Sequence, residues 1–242
     1  FSSQGISADY INGEILRKSI FRNGNMHIGK MKYKALVVCD MGSAEEPVVR
    51  SMLQFVESGG KVIFLGKTPG QAAGLTDYEK KDATIKKLTE RMVNRGAHIR
   101  NTPVRPEKDL MSYMLNWTGE LIREMKLNPG IHLSDPDPLL FTTQFIYEQK
   151  PVWFIANVNA DKDLKTNISL PGSRKRIEVW DPLSGERKHL PDNGNREVVL
   201  HLDRLESALL VLDDQQRGKT KVDHGQNGKA LHINGPWQVD FI

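Results

Sequence analysis

Up to about residue 133 the chain alternates helix and strand patterns. From Ser134-Asp-Pro-Asp-Pro138 onward only strand patterns occur. That change of period constrains the fold more than any motif does. Alternating elements build a mainly parallel sheet covered by helices, whereas short strands separated by turn residues build antiparallel layers. The pattern therefore predicts α/β plus all-β: an open, mainly parallel sheet over 1–133 and a small antiparallel β-sandwich over 134–213. Residues 214–242 read as a polar linker followed by the start of a third unit.

In the first part, a helix is predicted from Asp9 to Lys18, with Tyr10, Ile11, Ile15 and Leu16 on one side. Arg22-Asn-Gly-Asn25 is a tight turn, because Asn-Gly tolerates positive φ, and Met26 to Ile28 forms a short strand. The apolar runs Lys34–Asp40 and Lys61–Leu65 read as buried parallel strands. Between them Ser43-Ala-Glu-Glu-Pro47 starts a helix and Gly59-Gly60 ends it, which makes a βαβ unit. Thr76-x-x-Glu79 has the spacing of a capping box and opens a helix that runs to about Asn94 and closes at Gly96. Ala97 to Arg100 adds a strand. Pro106 opens a last helix with an apolar stripe of Leu110, Met111, Met114, Leu115, Leu121 and Ile122. Strands are then predicted near 139–147, 152–158, 164–170, 175–180, 196–202 and 207–212. Turns at Gln149-Lys150, Asn159-Ala-Asp161, Pro171-Gly172, Pro182-Leu-Ser-Gly185 and Asp192-Asn-Gly194 separate them.

Charge is mild and uneven. Residues 1–133 carry 20 Lys/Arg against 14 Asp/Glu, and 134–242 carry 14 against 16. The lysines at 80, 81, 86 and 87 alternate with Asp77, Glu79, Asp82 and Glu90, as on a solvated helix face rather than a nucleic-acid site. No apolar run reaches the ~20 residues needed to span a bilayer. The single cysteine, Cys39, excludes an internal disulfide and a Cys-rich zinc site.

The chemistry-bearing residues form no constellation. Cys39 ends a strand in Val-Val-Cys-Asp-Met, without the glycine-flanked elbow of a nucleophile, and reads as a small residue packed at a strand end. A Cys39-dependent hydrolase is nevertheless an alternative to be tested. Gly66-Lys-Thr-Pro-Gly70 lacks P-loop spacing but follows a strand, where open α/β sheets bind ligands. The seven histidines show no metal-ligand spacing, so no metal and no cofactor are expected. No carboxylate pair suits glycosidic cleavage, and no catalytic residue is nominated. Trp153 and Trp180 are the candidate ligand-binding residues, as platforms for sugar, against the alternative that strand tryptophans serve as core. Trp117 is packing.

The last stretch, Lys229 to Ile242, alternates apolar and polar residues around Gly235-Pro236 and reads as the beginning of a new strand pair. The chain accordingly reads as a segment of a longer polypeptide.

Three pieces in order carry a family resemblance. Asp9-Tyr-Ile-Asn, Leu16, Gly24-Asn-Met-His-Ile28, Tyr33-Lys-Ala-Leu-Val-Val38 and Leu53-Gln-Phe-Val-Glu-Ser-Gly-Gly-Lys-Val62 form the first. Pro151-Val-Trp-Phe-Ile-Ala-Asn157 with Glu178-Val-Trp-Asp-Pro-Leu-Ser-Gly185 is the second, and Ile233-Asn-Gly-Pro-Trp-Gln-Val-Asp-Phe241 the third. Together they resemble the accessory region of large bacterial glycoside hydrolases, closest to α-L-rhamnosidase-like enzymes and more distantly to β-galactosidases. The resemblance implies a flavodoxin-type, class I glutamine amidotransferase-like sheet, a β-sandwich, and the entry to a galactose-binding-like jelly roll. It further implies a carbohydrate-active, periplasmic or secreted parent whose catalytic carboxylates sit on a barrel upstream of residue 1. None of those residues maps onto this chain. Its partners would be that barrel, the jelly roll, carbohydrate or further copies in an oligomer, with no nucleic acid and no membrane. A strand normally precedes the helix at Asp9 in such domains. Here only Phe1 to Ala8 do, so the sheet either lacks a strand or those residues fill its place in another way.

Overall fold

A computed structural model describes residues 1–101, 107–148, 150–170, 176–190 and 197–213. Pro106 as the start of the last helix, the turns at Gln149, 171–172 and 192–194, the linker beyond Asp213 and the strand pair at 229–242 lie outside the described residues.

The chain opens with a 3-10 turn, Ser2–Gln4, and helix α1, Gly13–Lys18. The helix is shorter than predicted, because the Asn12 side chain accepts from the Ile15 N–H (2.9 Å) and caps the first turn there. Only Leu16 of its apolar set is buried, while Tyr10 is fully exposed. Strands β1 (Ile20–Arg22), β2 (Asn25–Ile28) and β3 (Met31–Tyr33) form an antiparallel sheet. Asn23 and Gly24 take φ of 51° and 70° in succession, as a two-residue hairpin turn requires.

Next come β4 (Ala35–Cys39), β5 (Ser43–Ala44), α2 (Glu46–Glu57), β6 (Lys61–Leu65), β7 (Gln71–Ala72), α3 (Tyr78–Asn94), β8 (His98–Arg100) and α4 (Leu110–Glu124). β4, β6 and β8 pair in parallel in that order, and β5 pairs with β7. Side chains alternate across the parallel sheet. Leu36, Val38, Val62 and Phe64 share a core with Val49, Met52 and Phe55 of α2 and with Ile85, Leu88 and Met92 of α3. Ile63 and Leu65 instead meet Leu121 of α4 and Met125, with Phe1 and Trp117 packed alongside. Helices thus cover both faces, which is why Lys61–Leu65 reads as one apolar run. Phe1 to Ala8 add no strand; the 3-10 turn runs between α4 and the strand layers that follow, where Gln4 Nε2 donates to Leu115 O (2.8 Å).

Two local predictions are corrected. Thr76 does not cap α3: Asp77 occupies the cap position at φ 54° with no side-chain bond, and Thr76 offers its carbonyl to Lys81 Nζ (2.8 Å) instead. The left-handed Asp77 places Thr76 one residue too early for a box. On α4, Met111 is exposed, and burial is confined to Thr118, Leu121 and Ile122 near its end.

The second part holds β9 (His132–Leu133), β10 (Leu140–Tyr147), β11 (Lys150–Asn157), β12 (Leu164–Ser169), β13 (Arg176–Trp180), β14 (Arg187–His189), β15 (Val198–Leu202) and β16 (Ser207–Asp213). The six predicted strands are present within two residues. β9 and β14, of two and three residues, are too short to show a period. All pairings are antiparallel, in sheets ordered β10-β11-β16-β13-β14 and β15-β12-β9. Their facing side chains, among them Leu140, Trp153, Ile155, Ile177, Leu210 and, from the smaller sheet, Leu133, Ile168 and Leu200, form one core.

The two parts meet through backbone as well as side chains. Ser3 Oγ donates to Pro138 O (3.4 Å), Thr142 Oγ1 to Ser2 O (2.5 Å) and Gln144 N–H to Ser7 Oγ (2.5 Å).

Candidate functional site

The carboxyl ends of β4 and β6 are where an open α/β sheet would bind a ligand. Cys39 is exposed there, contrary to the packed residue predicted, because it is the last residue of an edge strand. The chain turns sharply after it: Asp40 adopts φ 46°, donates its N–H to Leu65 O (2.8 Å), and accepts from Lys67 N–H at Oδ1 (3.3 Å). Among the described residues no histidine is hydrogen-bonded to the thiol, so Cys39 has no base to activate it. The Gly66–Gly70 loop cannot cradle a phosphate as it stands. Gly66 N–H is spent on Arg100 O (2.9 Å), Lys67 N–H on Asp40, and Gly70 N–H on Gly42 O (3.0 Å). Thr89 Oγ1 donates to Pro69 O (2.8 Å) and holds the loop from below.

The two candidate tryptophans separate. Trp153 is only 5% exposed, in the core of the strand layers, and its Nε1 has no partner among the described residues. It is core, not a platform, because the register with Gln144 places it on the inward side of β11. Trp180 is half-buried on the opposite side of the same sheet. Its Nε1 donates to Glu178 Oε2 (3.0 Å), and the Arg187 guanidinium lies 3.9 Å from its ring centroid. His189 Nε2 sits 3.4 Å from Glu178 Oε1. The sequence reading missed Glu178, Arg187 and His189. Only the β13–β14 register, which opposes Glu178 to His189 and Trp180 to Arg187, assembles them. The Pro182-Leu-Ser-Gly185 turn was legible and implied that pairing. Asp181 fastens it, accepting from Leu183 N–H (2.8 Å) and Ser184 Oγ (2.5 Å), and these bonds hold its carboxyl below the usual range. The arrangement can present one ring face to a sugar, with Arg187 occupying the other.

Pairing of β12 with β15 brings together a second group that spacing hid. One ligand atom each from Asp163, His201 and Asp203 lies within 4.8 Å of the others, and all three residues are exposed. Such a set could hold a divalent cation. Asp163 Oδ1, however, already accepts from Arg204 N–H (3.2 Å). The group therefore reads as a solvated charge cluster.

A cleft of about 320 Å³ opens at the amino end of the parallel strands, lined by Gly59, Gly60, Lys61, Arg95, His98 and Glu124 among others. The ends of α2, α3 and α4 converge there, and Lys61 Nζ donates to the carbonyls of Met125 and Lys126. A cation at a helix C-terminus offsets the dipole. Glu124, the one carboxylate in this cleft among the described residues, is bound by Arg100. Glycosidic cleavage needs two carboxyl groups flanking the sugar, and this cleft does not supply them.

No protein-family model matches the chain, and no curated protein matches it in sequence. Solved structures do. A rhamnosidase from Novosphingobium sp. PP1Y aligns at 15% identity and TM-score 0.59, over 90% of this chain and 21% of that one. Gan42B, a GH42 beta-galactosidase from G. stearothermophilus, aligns at 12% identity and TM-score 0.49, over 87% of this chain and 34% of that one. A beta-galactosidase from Bacillus circulans sp. alkalophilus aligns at 12% and 0.49, over 88% and 36%. With scores below 0.5 for the galactosidases, only the rhamnosidase likeness bears on the fold. The chain spans about a fifth to a third of the length of these neighbours. Its fold, with parallel and antiparallel sheets in sequence, is therefore one found within that rhamnosidase.

Proposed function

We propose that this chain is a non-catalytic accessory part of a carbohydrate-active enzyme, an α-L-rhamnosidase-like glycoside hydrolase being the leading parent. In this reading, residues 1–133 are an amidotransferase-like, flavodoxin-type unit and 134–213 an antiparallel sandwich. Their role is architectural: they pack against a catalytic barrel and shape its surroundings. The observation that carries the reading is the rhamnosidase likeness, which takes in 90% of this chain but 21% of the larger one. The purified chain should release no nitrophenol from aryl α-L-rhamnosides or aryl β-galactosides above the blank. Turnover that persists through repurification and tracks the protein peak would sink the proposal.

A second reading, a carbohydrate-binding module, is favoured by Trp180 with Glu178 and Arg187 beside it. Under it, titration calorimetry with plant-type oligosaccharides gives saturable heat that Trp180→Ala abolishes. Under the architectural reading no sugar gives heat.

A further inference from the structure

The apolar cores stop at the junction between the two parts. Among the described residues, two cores lie wholly within 1–127 and the third wholly within 131–212. The hydrogen bonds that join residues 1–129 to the strand layers run, among the described residues, through residues 1–8. That segment is fastened on two sides. Towards α4, Phe1 packs with Trp117, Leu121 and Met125, and Gln4 Nε2 donates to Leu115 O (2.8 Å). Gly119 makes room for the amide, since a Cβ there would lie 3.1 Å from Gln4 Nε2. Towards the strand layers, Ser2 O accepts from Thr142, Ser3 Oγ donates to Pro138 O, and Ser7 Oγ accepts from the Gln144 N–H. Gly5 sits between, buried and at φ 74°, and its carbonyl accepts from Gly130 N–H (3.1 Å). A Cβ built on Gly5 would lie 2.0 Å from Ile131 O.

We infer that residues 1–8 are a strap that locks the angle between the α/β part and the strand layers, and that displacing it lets the two folded parts pivot about residues 126–130. Units joined without a large apolar interface move against one another by default. None of the three cores crosses this junction, so the bonds of the strap hold the angle. Each part also closes its own core, so it stays folded when the strap leaves; only the seat of Phe1 is opened. The connecting residues suit a pivot: Lys126 takes φ 50°, and Pro129-Gly130 follow it. Gly5 is the point on which the strap depends. A side chain there meets the backbone carbonyl of Ile131, a residue 0% exposed in the strand core, and the left-handed φ disfavours any residue but glycine. The inference is independent of the accessory reading: glycosidic turnover by the purified chain would overturn that reading and leave this one standing.

Pulsed electron double resonance on the full chain tests it, with spin labels on Cys39 and on Lys165→Cys, two exposed positions on opposite sides of the junction. The labelled chain should give one narrow distance distribution. Gly5→Ala should widen that distribution at least about twofold, as freed hinge motion does, while circular dichroism and tryptophan fluorescence stay native. Gln4→Ala loosens the strap from α4 without touching Gly5 and should widen it in the same direction; it decides the matter if Gly5→Ala unfolds the chain. Gly29→Ala is the control. Its φ of 56° is also left-handed, but no atom lies within 4 Å of its added Cβ, so the distribution should stay narrow. The inference is overturned if the parent chain is already as broad as Gly5→Ala, if neither strap variant widens the distribution, or if Gly29→Ala widens it equally.

Discussion

Replacing Gly60 by alanine should destabilise the α/β part, for a reason unrelated to backbone freedom. Gly59 is the left-handed residue at the end of α2, with φ 89°. Gly60 has ordinary φ, but a Cβ built on it would lie 2.1, 2.3 and 2.5 Å from three ring atoms of Phe55. That ring cannot retreat. It is 0% exposed and packs 5.5 Å, centroid to centroid, from Phe21 of the β1 hairpin. Overpacking a tight core costs about 1–3 kcal/mol, and contact with three atoms of an immobile ring belongs at the upper end. Losing a glycine from the unfolded chain returns about 0.4–1 kcal/mol. The net loss is about 2 kcal/mol. With a urea slope of about 2 kcal/mol/M, the midpoint falls by about 1 M. Circular dichroism at 222 nm is the assay, because the described α-helices all lie before Met125 and report on this part alone. Gly70→Ala is the control: no atom lies within 4 Å of its added Cβ and its φ is not left-handed, so stability should change by less than about 0.5 kcal/mol. Phe55→Leu shortens the obstructing side chain, so the Phe55→Leu/Gly60→Ala pair should be non-additive by about 1 kcal/mol or more. A Gly60→Ala chain as stable as the parent, or strict additivity with Phe55→Leu, would refute the steric account.

Two further outcomes follow from single side chains. Burial, then the hydrogen bond to Asp9 and its charge, push the Tyr33 hydroxyl up to about 12. Above pH 10 the unfolded chain loses a proton that the folded chain keeps, so Tyr33's contribution to stability is whole below pH 10 and is lost between about 10 and 12. Absorbance at 295 nm should show one of the five tyrosines ionising late, and Tyr33→Phe should remove that step; uniform titration near 10 would contradict the assignment. Asn157, 1% exposed, donates through Nδ2 to Lys162 O (2.9 Å) and Asp203 O (3.0 Å) and accepts from Asn159 N–H (3.0 Å). Asn157→Ala strands those part-buried groups and should cost about 1–2 kcal/mol, read from the tryptophan fluorescence unfolding curve; a loss below about 0.5 kcal/mol would show that the clamp is dispensable.

Much of the layout was legible residue by residue. Lys61–Leu65 announced a strand buried on both sides, Asn23-Gly24 a hairpin turn, and the six longer β strands their own limits. Each of these signals is local: a period of two, a positive φ, a helix-ending glycine. Asn12 and Asp77 show where local reading failed. Either end could have been capped by several polar neighbours, and the loop packing chose among them. The same holds for Gly60, whose glycine looked like part of a helix stop and proves to be room for a ring.

Order along the chain determined that helices and strands alternate before residue 134 and that, among the described residues, strands alone follow up to Asp213, because side-chain period and turn chemistry act over a few residues. It also excluded an internal disulfide, a membrane-spanning run and the spacing of a phosphate loop. Tertiary structure decided what no spacing contains. β13 against β14 put Arg187 on Trp180 and His189 on Glu178, and β12 against β15 gathered Asp163, His201 and Asp203. The pleat of β11 buried Trp153 and turned Phe154 outward. Pairing joins residues distant in sequence, and a strand's register settles which of its two faces meets the core.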